Sequence, residues 1–246
     1  TDNTAAPILC RPFDHGAAIT TYSTTKYIGG HGTTIGGLIV DGGNFDWGKA
    51  GADRQPAMNT PDPCYGGVVW DEQVTKNMGL PFAYLLKLRT TLLRDLGGAM
   101  SPFNAWMFIQ GLETLPLRMK EHAKNAQAVA ESLAANKKVQ SVTYPGLFEG
   151  AEKEKADKYM TGGYGALIGF ELPGGKEAGS KFIDSLELLY HVANIGDSRS
   201  LAIHPATTTH SQLAPEEQLS AGVTPGYVRL SIGIENVEDI IADITQ

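Results

Sequence analysis

The sequence has few cysteines and no long apolar run. Its 246 residues include two cysteines, Cys10 and Cys64, which are far apart and form no Cys-x-x-Cys motif. This pattern favours reduced thiols over a disulfide framework, and with them a cytoplasmic location. No run of about 18 apolar residues is present, and no charged-then-apolar leader, so we expect neither a membrane span nor a secretory signal.

Positive charge is also scarce. The chain carries 20 basic and 27 acidic side chains, a formal net charge of −7, and has no basic tract. Nucleic acid and anionic membrane surfaces are therefore not expected as partners. The 42% of hydrophobic residues is ordinary for a globular core, and the length suits one large or two modest domains.

A single lysine lies between short hydroxyl residues and a group of glycines. Residues 22–32 read YSTTKYIGGHG and follow a run that favours a strand, so Lys26 is expected at a strand end. A lysine in a pocket loses its proton more readily, and the neutral amine attacks carbonyl carbons. Ser23 and Thr25 add hydroxyl donors, and the glycines allow close approach to an anion. The stretch predicts a phosphate cofactor that bears an aldehyde. A Walker loop would need its lysine after the glycines.

Other residues of interest have ordinary alternative explanations. Asp2 precedes a loop, where an aspartate is more often a helix or turn cap or a solvated charge. Arg229 lies on an alternating apolar strand pattern and, taken alone, is more often solvated or ion-paired. His31 has no second His or Cys at ligand spacing, so we expect a hydrogen-bonding role and no metal site.

The lysine stretch resembles the cofactor-lysine motif of the pyridoxal-phosphate enzymes of cysteine and methionine metabolism, the transsulfuration family. In that family a Ser-x-Thr-Lys run is followed by a glycine-rich turn and His. Longer segments are most similar to its O-acetylhomoserine sulfhydrylase branch. They are the SPFNAW run from Ser101, the QGLETL run from Gln110, the HPATTTH run from His204, the motif at residues 225–235, and the aromatic-rich residues 43–83, much of which the smaller γ-lyases lack.

The resemblance implies a role for each matching residue. Lys26 would bond covalently to pyridoxal 5'-phosphate and act as the catalytic base, and Ser23 and Thr25 would hold the phosphate. Asp2 would pair with the pyridinium nitrogen, which strengthens the ring as an electron sink. Arg229 would bind the substrate α-carboxylate, because a planar guanidinium suits a carboxylate. Asn194 would lie in the loop that meets that carboxylate, although many members have Ser there.

The resemblance also implies an activity. The enzyme would exchange the acetate of O-acetyl-L-homoserine for sulfide or a small thiol, giving homocysteine or methionine. A cystathionine γ-synthase or methionine γ-lyase activity would use the same residues. An alternative of another class is a non-catalytic fragment that needs a missing N-terminal half. The family suggests a homotetramer, and an amino-acid substrate with sulfide or thiol as partners.

The alternation of predicted strands and helices indicates an α/β fold. The resemblance implies the C-terminal part of a fold-type I pyridoxal-phosphate transferase, with the end of the large cofactor domain at 1–115 and the smaller α/β C-terminal domain at 116–246. Pro116 is expected to kink or break a long helix at that boundary. Asp2 matches a mid-domain position of the family, so we expect this chain alone to aggregate or to bind the cofactor weakly.

Overall fold

The computed structural model describes residues 1–246, which form two compact units. Unit 1 contains Thr1–Asp2, Pro12–Tyr22 and Gly37–Pro102, and unit 2 contains Asn3–Arg11, Ser23–Gly36 and Phe103–Gln246. None of the helices combines the length and apolar character that a membrane crossing requires. The predicted division at residues 115 and 116 stays a prediction.

Unit 1 carries a two-stranded sheet of β1 (Ile19–Ser23) and β2 (Gly37–Asp41). The strand predicted before the lysine is therefore confirmed. The apolar run at residues 38–40 predicts a buried strand, and the strand forms as β2, but the predicted burial is wrong. Leu38 and Ile39 point to opposite faces of the two-stranded sheet and are 43% and 37% exposed.

Residues 43–83 fold, as their aromatic content predicts. Helices α1 (Trp47–Arg54), α2 (Pro56–Asn59) and α3 (Ala83–Lys87) surround a small core, whose buried members are Met58, Trp70, Val74 and Ala83. The spacing of the leucines over residues 84–96 predicts a helix, which starts as α3 and continues as a π-helical segment, Leu88–Arg94. It ends at Gly97, whose φ of 73° is the left-handed geometry that glycine adopts most easily.

Unit 2 is built on α4 (Pro102–Ala135), a 34-residue helix that begins directly after Ser101. The helix continues through Pro116, so a complete break there is wrong. Proline removes one backbone donor, and the carbonyl left over belongs to Leu112, an exposed residue that water reaches. Four shorter helices complete the unit: α5 (Gly150–Tyr159), α6 (Gly175–Ser185), α7 (Pro215–Ser220) and α8 (Val237–Thr245).

A mixed five-stranded sheet forms the core of unit 2, in the order β3-β4-β7-β6-β5. Its strands are β3 (Ser141–Thr143), β4 (Leu167–Glu171), β5 (Tyr190–His191), β6 (Leu201–Ile203) and β7 (Tyr227–Ser231). The β5–β6 pair is parallel and the other pairs are antiparallel. Sheet and helices together confirm the predicted α/β class.

The central strand β7 follows the alternation read from the sequence. Val228 and Leu230 are fully buried, whereas Arg229 on the opposite face is partly exposed. Residues 190–195 have the composition of a strand, but the strand that forms is shorter, since β5 ends at His191. The chain then bends at Gly196, which has a φ of 73°. This bend places the loop after β5 beside the lysine stretch.

Candidate active site

Lys26 lies in a tight turn that follows β1. The turn is closed by three backbone hydrogen bonds, from Lys26 N to Ser23 O at 3.2 Å, from Gly29 N to Thr24 O at 2.8 Å and from Gly30 N to Lys26 O at 2.7 Å. Gly30 has a φ of 74°, a value that disfavours any residue with a Cβ. The glycines after the lysine therefore serve the turn geometry, in addition to the anion approach expected from the sequence.

The amine of Lys26 donates a hydrogen bond to Asn194 Oδ1. The guanidinium of Arg229 donates to the backbone oxygen of the same asparagine, at 3.4 Å from Nη2. Unit 2 thus brings together the predicted catalytic lysine and both predicted substrate-binding residues. A lysine amine, an amide and a guanidinium in one place form a site suited to an amino acid, which presents an amine and a carboxylate.

The environment lowers the pKa of Lys26. Burial of the amine is the larger cause, and the positive charge of Arg229 is the second. Both favour the neutral amine, which is the form that attacks an aldehyde. Burial also lowers the pKa of Arg229, but an arginine remains charged at any physiological pH. The site therefore keeps one permanent cation next to an amine whose pKa is lower than usual.

The loop that carries Asn194 is fixed on both sides. Gly196 N donates to the Ser231 hydroxyl of β7 at 3.0 Å, and Ser198 donates to Gly30 O from its backbone N at 2.8 Å and from its hydroxyl at 2.9 Å. A Cβ on Gly196 would lie 2.5 Å from the backbone N of Tyr27. The loop and the lysine turn are packed so closely that only glycine fits there.

Both predicted phosphate ligands precede Lys26, with Ser23 at the end of β1 and Thr25 inside the turn. Ser23 donates its backbone N–H to Thr4 Oγ1 at 2.7 Å, and its side chain is half-buried. The hydroxyl of Thr25 accepts from Gly36 N at 3.1 Å and donates to Gly36 O at 3.3 Å. A hydroxyl has one proton to donate, so a phosphate oxygen would replace Gly36 O as the acceptor of the Thr25 hydroxyl. The bond from Gly36 N to the Thr25 oxygen could remain.

Asp2 belongs to unit 1. It forms a parallel bridge with Thr21 of β1, and its Oδ2 accepts a hydrogen bond from the Thr21 hydroxyl at 3.2 Å. One carboxylate oxygen is thereby oriented by a neighbouring strand. The role of Asp2 toward a pyridinium nitrogen stays a prediction.

The groups present in unit 2 fit pyridoxal phosphate. An amine with a lowered pKa suits the aldehyde, and the hydroxyls of Ser23 and Thr25 suit the phosphate. His31 Nδ1 lies 2.7 Å from Gly29 O, the hydrogen-bonding role predicted for it.

One residue of this region escaped the sequence analysis. Arg118 of α4 is 6% exposed, and its guanidinium donates to the backbone oxygens of Tyr27 and Ile28, directly after the lysine. The sequence gives no signal for this contact, because an arginine in a helix is usually at the surface.

Comparison with known proteins shows what this chain resembles. The family model described as "Cys/Met metabolism PLP-dependent enzyme" matches residues 1–246. An O-acetyl-L-homoserine sulfhydrylase from Leptospira meyeri is 52% identical over 250 residues, covering 100% of this chain and 56% of the relative. A homocysteine synthase from Schizosaccharomyces pombe is 49% identical, covering 97% of this chain and 54% of the relative. This chain therefore spans little more than half the length of these relatives.

A solved structure agrees with the sequence comparisons. It is the crystal structure of a putative O-acetylhomoserine (thiol)-lyase from Campylobacter jejuni, which contains pyridoxyl-lysine phosphate. It matches with a TM-score of 0.90 and 40% sequence identity, over 100% of this chain and 57% of the crystallised chain. The predicted relationship to part of a fold-type I enzyme is confirmed. The chain belongs to the pyridoxal-phosphate-dependent enzymes of Cys/Met metabolism.

Proposed function

We propose that this chain supplies the reactive lysine and the substrate-binding residues of an enzyme that replaces the acetate of O-acetyl-L-homoserine with sulfide or a small thiol. The observation that carries the proposal is the convergence of Lys26 and Arg229 on Asn194. The names of the relatives from Leptospira meyeri and Schizosaccharomyces pombe favour the same reaction. The products are homocysteine or a thioether such as methionine, together with acetate.

Each residue has one task in this reaction. Arg229 binds the α-carboxylate of the substrate and fixes its orientation, and Asn194 lies between that carboxylate and the lysine amine. Bound pyridoxal phosphate withdraws electrons from the substrate Cα, which makes its proton acidic. Lys26 accepts that proton and then transfers protons at Cβ. Loss of the Cβ proton lets acetate leave from Cγ, and the sulfur of sulfide then bonds to Cγ.

The remaining cofactor contacts are assigned by the same proposal. Ser23 and Thr25 donate hydroxyl hydrogen bonds to the phosphate, and Asp2 holds a proton on the pyridinium nitrogen. The enzyme works in the cytoplasm as a homo-oligomer, a tetramer by family resemblance. Because the chain spans 56% of the Leptospira relative, residues equivalent to the rest of that relative complete the site, in the same polypeptide or as a separate chain.

Product analysis tests the reaction. The longest natural polypeptide that contains these residues is loaded with pyridoxal phosphate and given O-acetyl-L-homoserine with and without sulfide. We expect homocysteine and acetate in equal amounts when sulfide is present. Lys26→Ala should abolish turnover and leave the fold intact, and Lys158→Ala, a change at an exposed lysine of α5, is the matched control.

Other results would indicate a different activity or a different reactive residue. Release of a keto acid and ammonia without sulfide would indicate a γ-lyase, and preference for cysteine as the thiol would indicate a γ-synthase. Turnover by Lys26→Ala at more than a trace level would reject Lys26 as the reactive group. No turnover with any thiol, and no cofactor absorbance lost on borohydride treatment, would indicate a non-catalytic fragment.

A complementation experiment tests the need for further residues. The 246-residue chain is produced alone and together with the N-terminal part of the Leptospira meyeri relative that it does not match. We expect weak cofactor binding or aggregation for the chain alone and restored activity for the pair. Tight binding and full activity of the chain alone would refute the need for a partner segment.

A further inference from the structure

Arg118 is a buried cation whose partners are oxygens of the backbone and one hydroxyl. Its Nη1 donates to Tyr27 O at 2.7 Å, and its Nη2 donates to Ile28 O at 3.2 Å and to Gly111 O at 2.7 Å. Its Nε donates to Thr114 Oγ1 at 3.2 Å. Burying a guanidinium is costly unless its donors are satisfied. Here each nitrogen has a partner, and two of the partners are carbonyls of the lysine turn.

Two glycines make this contact possible. A Cβ on Gly111 of α4 would lie 2.2 Å from Ile28 O and 2.8 Å from Gly29 O. A Cβ on Gly30 would lie 2.4 Å from Arg118 Nη1. Distances under 3 Å are not found for real Cβ atoms. A side chain at Gly111 would therefore push the helix away from the turn, and one at Gly30 would displace the Arg118 guanidinium. Helix and turn are therefore in backbone contact at this point.

The rest of the turn is held as well. His31 Nδ1 binds Gly29 O at 2.7 Å, and the backbone N of Ser198 binds Gly30 O at 2.8 Å. With the two carbonyls bound by Arg118, the carbonyl oxygens of residues 27–30 all have partners. The backbone that follows Lys26 has no carbonyl left to rotate freely, which fixes the point from which the lysine side chain extends.

We propose that Arg118 is a positioning residue, which holds the turn at Tyr27 and Ile28 and thereby places the Lys26 amine against Asn194. This inference rests on the proposed function in one respect, namely that Lys26 is the reactive amine. The hydrogen-bond partners of Arg118 are Thr114 and backbone oxygens of the protein itself. Misplacing a reactive group by about 1 Å lowers a rate on the order of 100-fold. The arginine therefore contributes to turnover without taking part in the chemistry.

The test compares Arg118→Met, Arg118→Lys and the control Thr114→Val, which removes a neighbouring hydroxyl partner but leaves both turn contacts in place. The readout that does not depend on turnover is the pH dependence of Lys26 modification, measured with pyridoxal phosphate and borohydride and located by peptide mass. We expect Arg118→Met to move the midpoint of Lys26 modification to higher pH. A relaxed turn would let the amine move away from Arg229 into water, and both changes raise its pKa. Arg118→Lys should have a midpoint between those of Arg118→Met and the parent. Thr114→Val should have the midpoint of the parent.

Steady-state kinetics separate positioning from general stabilisation. We expect Arg118→Met to lower kcat on the order of 100-fold with KM nearly unchanged. If Arg118→Met fails to fold, Gly111→Ala disturbs the same contact and should move the midpoint in the same direction. An unchanged midpoint in the folded variants, with a lower melting temperature alone, would overturn the proposal. A shift of the midpoint between the parent and Arg118→Met, in a parent protein that shows no γ-replacement activity, would reject the proposed function. The role of Arg118 in placing the Lys26 amine would still be supported.

Discussion

The Asn194 carboxamide oxygen accepts a hydrogen bond from the Lys26 amine across 168 positions of sequence. The same asparagine accepts a bond from Arg229 through its backbone oxygen, 3.4 Å from Nη2. One residue thus contacts both the amine and the guanidinium. Asn194 therefore connects the two side chains to which the proposed function assigns the chemistry and the binding of substrate.

Asn194→Asp tests this relationship. A carboxylate beside the amine favours the ammonium form, so the pKa of Lys26 should rise and the activity profile should shift to higher pH. The pH dependence of Lys26 modification measures the shift directly. Asn136→Asp adds the same charge at a loop where the asparagine Oδ1 accepts from Lys138 N. A shift of equal size in this control would attribute the effect to net charge.

Arg229→Lys keeps the charge and removes the two-pronged guanidinium. Substrate binding should weaken by roughly 1.5–3 kcal/mol, the scale of a hydrogen bond to a charged group. The absorbance of bound cofactor should not change. Titration with an unreactive amino-acid analogue gives the affinity. A variant that loses cofactor but keeps substrate affinity would place Arg229 at the phosphate instead.

Asp2→Asn removes the negative charge and keeps the size of the side chain. Turnover should fall strongly, because an amide does not hold the ring nitrogen protonated. The amide oxygen can still accept from Thr21, so the bond at 3.2 Å need not be lost. Thr21→Val is the matched control for that bond alone. Parent-level turnover in Asp2→Asn would reduce Asp2 to a structural residue of the strand.

The burial of His122 in α4 should make the protein less stable at acidic pH. Its Nδ1 lies 2.7 Å from Ile232 O, its ring meets the Tyr27 ring edge to face at 5.2 Å, and burial lowers its pKa from 6.5 to about 4. The pKa of His122 is lower in the folded state than in the unfolded state. Between these two pKa values the folded state therefore binds fewer protons than the unfolded state. Its contribution to stability is complete above about pH 6.5 and is lost as pH falls toward 4. The loss amounts to about 3 kcal/mol.

Denaturant unfolding at pH 7 and at pH 4.5 measures this dependence. We expect His122→Phe to lower stability at pH 7, because it removes the bond to Ile232, yet to show a smaller further loss at pH 4.5 than the parent. His191→Phe changes an exposed histidine of β5 and is the control. An identical pH dependence in the parent and His122→Phe would contradict the assignment.

The sequence predicts most of the local structure. The strand before Lys26 and the alternation on β7 follow from patterns of neighbouring residues, which hydrophobic periodicity records well. The predicted burial of residues 38–40 was wrong, because a run of apolar residues does not show whether other elements cover the strand. Of the two outcomes expected at Pro116, a kink or a break, the break does not occur, since α4 continues past this residue.

The contacts of the site are harder to predict. The bond from Lys26 to Asn194 joins residues far apart in sequence, and Asn194 was expected to face only the substrate. The sequence contains no sign that Arg118 is buried, since arginines are mostly at the protein surface. Its burial depends on two glycines, Gly30 and Gly111, that lie on different elements and meet only in the folded chain. No pattern of neighbouring residues contains such a relationship.

The candidate site forms only when strand β7 pairs in the correct register. Arg229 and Ser231 share one face of the strand, where they contact the two ends of the segment 194–196. A slip of β7 by one residue against β4 would turn that face inward and bury a guanidinium among apolar side chains. A sheet assembled in the wrong register would therefore lose the guanidinium that we propose as the ligand of the substrate carboxylate. On that proposal, substrate present during refolding would select the properly aligned sheet and act as a chemical chaperone.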